Sequence, residues 1–362
     1  MKKERILRTV TVIFLAFLVL FGVSGGNVRA ATKDQWPGKY GGTMVISHTG
    51  EPRMLNIAYV TGDQQRFPAI NMFNVLVRYE LRKIDGKDTL VLAPELAKSW
   101  KVSEDGLTYT FNLRDDVYWH DGVKFTSADV KFGFEKVTAK YHGYGVKILA
   151  PALDRIDTPD EYTAIFRLKA LAPALLDYMA NMQMGNLAAP KHLYDGTDIA
   201  TNPYNNKPVG TGPFKFQEWV RGDHITLIKN ENYWDKGLPY LDKLVYKIMP
   251  DPASRVLALQ TGSIDMMTWT GFPLESYEMI TKTPNIYGYE CQRIPCVYML
   301  TINHRNPILA NLKVRQALSH AIDKSFLVKT VWYGVADIRN TIIGTEIMPK
   351  WYSNRNTIYE YN

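Results

Sequence analysis

Cysteine is scarce in this sequence. The 362 residues hold two, Cys291 and Cys296, so one disulfide is the most the chain can form by itself. Histidine is sparse as well, with seven residues. No His-Glu-x-x-His and no Gly-x-Ser-x-Gly occurs, which leaves both common hydrolase arrangements without support. A charge excess of one sign is also lacking. The formal net charge is +7, but Lys2, Lys3, Arg5, Arg8 and Arg29 against Glu4 put +4 of it into the first thirty residues. The remaining 7 − 4 = +3 is too small for a nucleic-acid footprint. No apolar run reaches the length of about 20 residues that a membrane span needs. Thr9 to Val23, at fifteen residues, falls short.

What is present is globular. Hydrophobic residues make up 46% and charged residues 22%, and the length allows two or more domains with real cores. The first thirty residues carry a positive n-region, the apolar stretch Thr9–Val23, a Ser24-Gly25-Gly26 break and small residues around Val28-Arg29-Ala30. This is the layout of a cleaved secretory signal peptide over residues 1–30. No cysteine directly follows the apolar stretch at the cleavage region, so the expectation is a periplasmic protein rather than a lipid-anchored one. In an oxidising compartment Cys291 and Cys296 either pair across Pro295 or stand as two buried thiols.

Pro94 to Val137 is the most informative stretch. Glu104-Asp105-Gly106 reads as a turn. Leu107, Tyr109, Phe111 and Leu113 then alternate with polar residues, the period of a half-buried strand. Val117-Tyr118-Trp119 is a short extended piece, and His120-Asp121-Gly122 turns again. Thr126 with Asp129 forms a shortened capping box, after which Val130, Phe134 and Val137 fall on one helical face. Asp115, Asp116, His120 and Asp121 lie close enough in sequence to raise a metal site or an exported hydrolase. The partner His or Cys that a metal site brings is missing, and turn chemistry accounts for all four.

Elsewhere the pattern predicts a strand over Thr43–Ser47, a helix over Phe67–Tyr79, and an aromatic, glycine-rich loop over Tyr141–Gly145. It predicts a strand over Tyr162–Leu168, a helix over Pro173–Met184, and an exposed crossing loop from Thr197 to Pro208. Gly210-Thr211-Gly212 lacks the Gly-Lys-Ser/Thr and the following helix of a phosphate loop, and runs into the strand Phe214–Trp219 as a tight turn. Strands follow over Ile225–Lys229 and Leu244–Ile248, then a helix opening at Asp251-Pro252 and stopping at Gly262. The remaining elements are strands over Ile264–Met267 and Cys296–Asn303 and helices over Asn311–Asp323 and Ser325–Tyr333. In the first of these helices Leu312, Val314, Leu318, Ala321 and Ile322 form the apolar side.

The ordered string Leu-Ala-x-Ser-Trp, Glu-Asp-Gly-Leu-Thr-Tyr-Thr-Phe-x-Leu-Arg, Trp-His-Asp-Gly and Phe-Thr-x-x-Asp-Val resembles the extracytoplasmic solute-binding proteins of ABC transporters. The resemblance is to the family that takes oligopeptides, dipeptides, nickel complexes and some oligosaccharides. Val209–Phe214, and Arg315-Gln316-Ala317 with Ala321-Ile322-Asp323, extend it over nearly all of residues 39–340. The resemblance implies a two-lobed α/β fold of the type II periplasmic binding protein class (cluster C), with an extra subdomain in lobe one. It divides the chain into a signal peptide (1–30), a lobe I core (31–75 and 191–290), an extra subdomain (76–190), and a hinge crossing with the start of lobe II (291–362). Members are longer, so a chain ending at Asn362 is expected to be a truncated form with an incomplete second lobe. Some members pair a cysteine near Cys296 with one far along lobe II.

The function so implied is a monomeric, non-enzymatic receptor without cofactor or nucleic acid. It would enclose a short peptide between its lobes and deliver it to the membrane permease subunits. An oligosaccharide or a metal chelate is the alternative cargo. The loop after the first strand faces the ligand cleft in this family, which makes Glu51 a candidate contact, with Thr49 beside it. Trp269 and Thr270 follow a strand end, where ligands gather in open α/β sheets. Tyr144, in the aromatic loop, is the fifth candidate. Glu51 as a solvated turn residue and Trp269 as a core or rim residue remain open.

Overall fold

The computed structural model describes residues 39–56, 58, 62–84, 87–182, 185, 187–287 and 298–338. The expected signal peptide, both cysteines and the segment beyond 338 lie outside the described residues. The chain divides into two compact units, whose described parts are residues 39–272 and the residues from Pro273 onward.

The first unit is built on a five-stranded mixed sheet of order β11-β1-β10-β9-β8. Its strands are β1 (Thr43–His48), β8 (Phe214–Val220), β9 (His224–Lys229), β10 (Lys243–Ile248) and the two-residue β11 (Met266–Met267). β1 runs parallel to β10 and to β11, with Ile46 opposite both Tyr246 and Met266, while β9 is antiparallel to β10 and to β8. Alternation decides which face is buried: Met44 and Ile46 of β1, Leu244 and Tyr246 of β10, and Ile225 and Leu227 of β9 enter one apolar core.

Between these strands the chain adds β2 (Val77–Ile84) and β3 (Lys87–Pro94), which pair only with each other. It also adds the antiparallel sheet β4-β5-β7-β6, made of Ala97–Val102, Thr108–Leu113, Thr163–Leu168 and Leu153–Asp160 in that spatial order. Here the register sets Phe111 opposite the small Ala164 and pairs two large rings, Tyr109 opposite Phe166. The rings of Phe111 and Phe134 meet Phe166 edge-on at 5.3 and 5.1 Å.

The turns form as their residues require. Asp105 accepts from Ser103 Oγ at 2.5 Å and from the Leu107 N–H at 3.0 Å, and Gly106 takes φ +69°. Asp251 caps the helix Pro252–Thr261 by accepting from the Ser254 N–H at 2.7 Å, and Gly262 ends it at φ +74°.

Other expectations need correction. The helix expected over Phe67–Tyr79 is Asp63–Ala69, and Val77 already belongs to β2. The carbonyls of Asn71 and Met72 are taken by the Phe214 and Gly212 N–H groups at 3.0 and 2.8 Å, which ends the helical ladder. The glycine-rich loop at 141–145 is helical instead, running into a π-helical turn over Gly145–Leu149. A second π-helical turn, Gly133–Thr138, follows the helix Ser127–Phe132. Its i→i+5 winding turns the apolar face: Val130 and Phe134 pack into the core of the four-stranded sheet, whereas Phe132 and Val137 pack into the core of the five-stranded one.

Thr197–Pro208 is not an exposed crossing throughout. Ile199, Asn202 and Asn205 are buried, and Asn205 donates to the Ile199 carbonyl at 2.7 Å while accepting from Asn56 at 2.8 Å and Tyr194 at 3.2 Å. Polar side chains satisfy backbone there and so sit inside.

In the second unit the described elements are short helices: Tyr277–Lys282, Pro307–Ala310, Leu312–His320 and Lys324–Thr330. Asn306, Asn311 and Asp323 cap the last three. Residues 298–303, expected in a strand, have no regular structure, and the expected apolar side of Leu312–His320 is not buried, with Leu312 57% exposed.

Candidate functional site

The recognisable sequence string is used for building. His120 donates its backbone N–H to the Gly210 carbonyl at 2.8 Å, and its Nδ1 accepts from the Gly210 N–H at 3.1 Å. With Nδ1 an acceptor, Nε2 carries the proton and donates to the Gly212 carbonyl at 3.0 Å. One neutral imidazole thus reads the Gly-x-Gly segment ninety residues away. Burial pushes its pKa down to about 4, with the Gly212 hydrogen bond opposing.

Trp119 Nε1 donates to Asp129 at 3.2 Å, and the same carboxylate accepts from the Thr126 N–H and the Lys191 N–H, each at 2.9 Å. Asp121 pairs with His192 at 2.7 Å, Asp115 with Lys98 at 2.5 Å, and Asp116 with Arg114 at 2.7 Å. Each member of the supposed metal or hydrolase cluster therefore has its own separate partner. Among the described residues no group of three or more His, Cys, Asp or Glu is placed to hold a metal ion.

The strand ends present a different arrangement. β1 and β11 are neighbours and parallel, so the loops that leave them emerge side by side. Thr49 and Glu51 come from the first loop, and Trp269 and Thr270 from the second, a 3₁₀ turn over Trp269–Gly271. The Trp269 side chain lies outside the described residues. Thr49 and Thr270 are part-exposed. The two loops touch at Gly271, where an added Cβ would come within 2.9 Å of Thr49 Cγ2. Thr270 Oγ1 lies 3.4 Å from Thr268 Oγ1, the latter residue buried.

Tyr144 is carried by another element, the helical segment before Gly145, with its ring 5.9 Å from His142 and 46% exposed. The strand ends thus gather four of the five candidates.

Glu51 is already engaged. Its carboxylate accepts from the Gly222 N–H at 2.9 Å and from Arg221 at 3.3 Å, both on the β8–β9 turn, and Arg221 lies over the Trp219 ring at 3.3 Å. These contacts tether the Thr49–Pro52 loop to that hairpin. The pair is partly exposed, so each half is expected to contribute no more than about 1 kcal/mol of stability. Glu51→Gln and Arg221→Gln should therefore change ligand affinity by the same factor if the carboxylate acts as a tether. Titration calorimetry showing a loss confined to Glu51→Gln would make it a direct contact instead.

Two further residues at these strand ends are not site candidates from the sequence, which puts His48 at the head of the polar loop 48–52 rather than inside. His48, the last residue of β1, is 1% exposed, lies edge-on to Phe67 and Tyr246 at 6.3 and 6.0 Å, and has no hydrogen bond to either ring nitrogen. Burial lowers its pKa to about 4, only partly opposed by the nearby Gln64 and Gly50 backbone and the Glu51 charge. Its signal was the alternation Met44, Ile46, His48, which marks a histidine in a core position. Arg255, in the helix Pro252–Thr261, is 6% exposed and donates to the carbonyls of Gly271, Met249 and Pro250 at 2.9, 2.7 and 2.7 Å.

Residues 91–362 match the family model described as bacterial extracellular solute-binding proteins, family 5. The chain belongs to that family. The fold agrees. This family 5 protein superimposes with a TM-score of 0.75 and 29% identity on the Helicobacter pylori periplasmic binding protein DppA in complex with the peptide STSA, over 90% of this chain and 64% of that one. Campylobacter jejuni NikZ in complex with Ni(L-His) gives 0.70 and 29%, over 88% and 60%. In sequence it is 29% identical to the oligopeptide-binding protein AppA of Bacillus subtilis over 343 residues, which is 93% of this chain and 60% of the relative. The family 5 chain thus spans about three fifths of that relative's length. Family 5 proteins are extracytoplasmic binding components of ABC transporters, and no described helix here is long and apolar enough to cross a membrane.

Proposed function

We propose that this family 5 protein captures short peptides outside the cytoplasm and hands them to the permease of an ABC importer, without reacting with them. The observation that carries the reading is the likeness, in both fold and sequence, to a binding protein holding a four-residue peptide. The strand-end loops support it: two threonines and loop backbone beside one another suit a ligand recognised through its main chain rather than its side chains. Residues 31–75 and 191–290 would form the lobe I core, 76–190 its extra subdomain, and 291–362 the crossing into lobe II, behind a signal peptide at 1–30. Ligand would be enclosed as contacts on both lobes favour a closed form. Glu51, Thr49, Thr270, Trp269 and Tyr144 would be the first-lobe surface it meets.

The likeness to NikZ in complex with Ni(L-His) favours a second cargo, a metal chelate bound through its organic ligand. Isothermal calorimetry with Ser-Thr-Ser-Ala, a maltotetraose and nickel–histidine separates the readings. Heat from the peptide alone is the expected result. Saturable binding of nickel–histidine with none of the peptide would replace peptide by chelate as the cargo.

A further inference from the structure

We propose that Arg255 is the positioning residue of the ligand-facing strand ends, holding the loops after β10 and β11 in one geometry; this rests on the reading that ligand meets those loops. The guanidinium is buried, yet it directs three hydrogen bonds at main-chain carbonyls rather than at a carboxylate. Two of those carbonyls, Met249 and Pro250, leave the end of β10, and the third, Gly271, closes the turn after β11. β1 lies between those two strands in the sheet. Its own loop is held against the same point, since an added Cβ on Gly271 would meet Thr49 Cγ2 at 2.9 Å and Arg255 Nε at 3.4 Å.

The fork of the guanidinium suits this task, because its donors lie in one plane at fixed angles, and a lysine ammonium offers no such span. The loop's own turn does not reach the end of β10. Its backbone bond from the Gly271 N–H to the Thr268 carbonyl, at 2.9 Å, is local to the turn. Arg255 thereby sets where the Thr270 hydroxyl and the loop N–H groups stand without needing to touch a ligand.

The test compares hydrogen exchange and peptide affinity in the full chain carrying Arg255→Met, Arg255→Lys or Gly271→Ala. Arg255→Met is expected to speed exchange in segments covering residues 268–272 and 249–251 by at least about tenfold while the β1 and β10 amides keep their rates. Gly271→Ala should loosen residues 49–52 and 268–272 in the same way with the arginine intact. Affinity for Ser-Thr-Ser-Ala should fall at least about tenfold in Arg255→Met and be partly restored in Arg255→Lys. Equal acceleration across β1 and β10 would mean general destabilisation and would overturn the proposal. Faster loop exchange with unchanged affinity would overturn it too. A wild-type chain that does not bind the peptide would count against the peptide reading, leaving the exchange measurement to decide the role of Arg255.

Discussion

Gly210→Ala is expected to prevent folding of the first unit. A Cβ at this position would stand 1.8 Å from the Met72 carbonyl oxygen and 2.7 Å from its carbon. Both atoms are main chain, so no rotamer change relieves the overlap. Met72 cannot withdraw, because its carbonyl accepts from the Gly212 N–H at 2.8 Å and the Asn71 carbonyl beside it accepts from the Phe214 N–H. Gly210 cannot withdraw either, since His120 holds both its N–H and its carbonyl. Moving the segment would also break the buried contact between Thr211 Oγ1 and Asn74, a side chain that already donates to Glu95 and Tyr233. Losing two or three such bonds with their buried partners left unpaired costs about 4 kcal/mol or more, a large share of a domain's stability. Far-ultraviolet circular dichroism with urea denaturation checks it. A variant that folds with a midpoint near wild type would show that the two segments separate easily. Gly143→Ala, whose added Cβ meets nothing within 4 Å and whose φ, like that of Gly210, is not positive, is the control for a plain backbone effect.

Gly210 also marks where sequence reading reached and where it stopped. The segment was legible as a turn into a strand rather than a phosphate cradle, because the residues that follow alternate and carry no Lys-Ser/Thr. The reason for its glycines was not, since neither Gly210 nor Gly212 has a positive φ and both serve close approach to a segment some 140 residues earlier. The same division runs through the chain. Asp105-Gly106, Asp251-Pro252 and the alternation into β5 depend on neighbours in sequence, and they formed as the sequence indicated. His120, Arg255 and Asn205 depend on carbonyls from distant loops, and a polar letter in a sequence does not say whether it will face water or satisfy buried backbone. Of the candidate site, the strand-end placement of Thr49, Glu51 and Thr270 was legible from strand-then-loop order. The tether that engages Glu51 was not, because Gly222 and Arg221 lie on a hairpin about 170 residues on.

The first unit is expected to lose most of its stability between pH 6.5 and pH 4. His48, His120 and His142 each have a folded pKa of about 4 against 6.5 for an exposed histidine, in every case chiefly through burial. Above pH 6.5 each ring is neutral whether the chain is folded or not, so the three contribute no pH dependence there. As pH falls below 6.5 the unfolded chain takes up protons that the folded chain refuses, and stability declines until the folded rings titrate near pH 4. A tenfold difference in proton affinity between the two states is worth about 1.4 kcal/mol, so each histidine accounts for at most about 3 kcal/mol. Half of that from all three is already comparable with a marginal domain's total.

The ion-paired carboxylates do not produce this decline. Those of Asp115, Asp116 and Asp157 are held below the usual range by Lys98, Arg114 and Arg167, so their loss begins only under pH 4. Glu95 works the other way: burial raises its pKa, so the folded state holds its proton more tightly and gains relative stability as pH falls. His48 allows a direct test, because a phenylalanine ring removes the titration while keeping an aromatic ring edge-on to Phe67 and Tyr246. Urea midpoints at pH 7, 5.5 and 4.5 should fall steeply for wild type and less so for His48→Phe, with the two chains equal or the variant ahead at pH 7. A His48→Phe chain whose midpoint follows the wild-type curve at all three values would remove His48 as a source of the acid sensitivity.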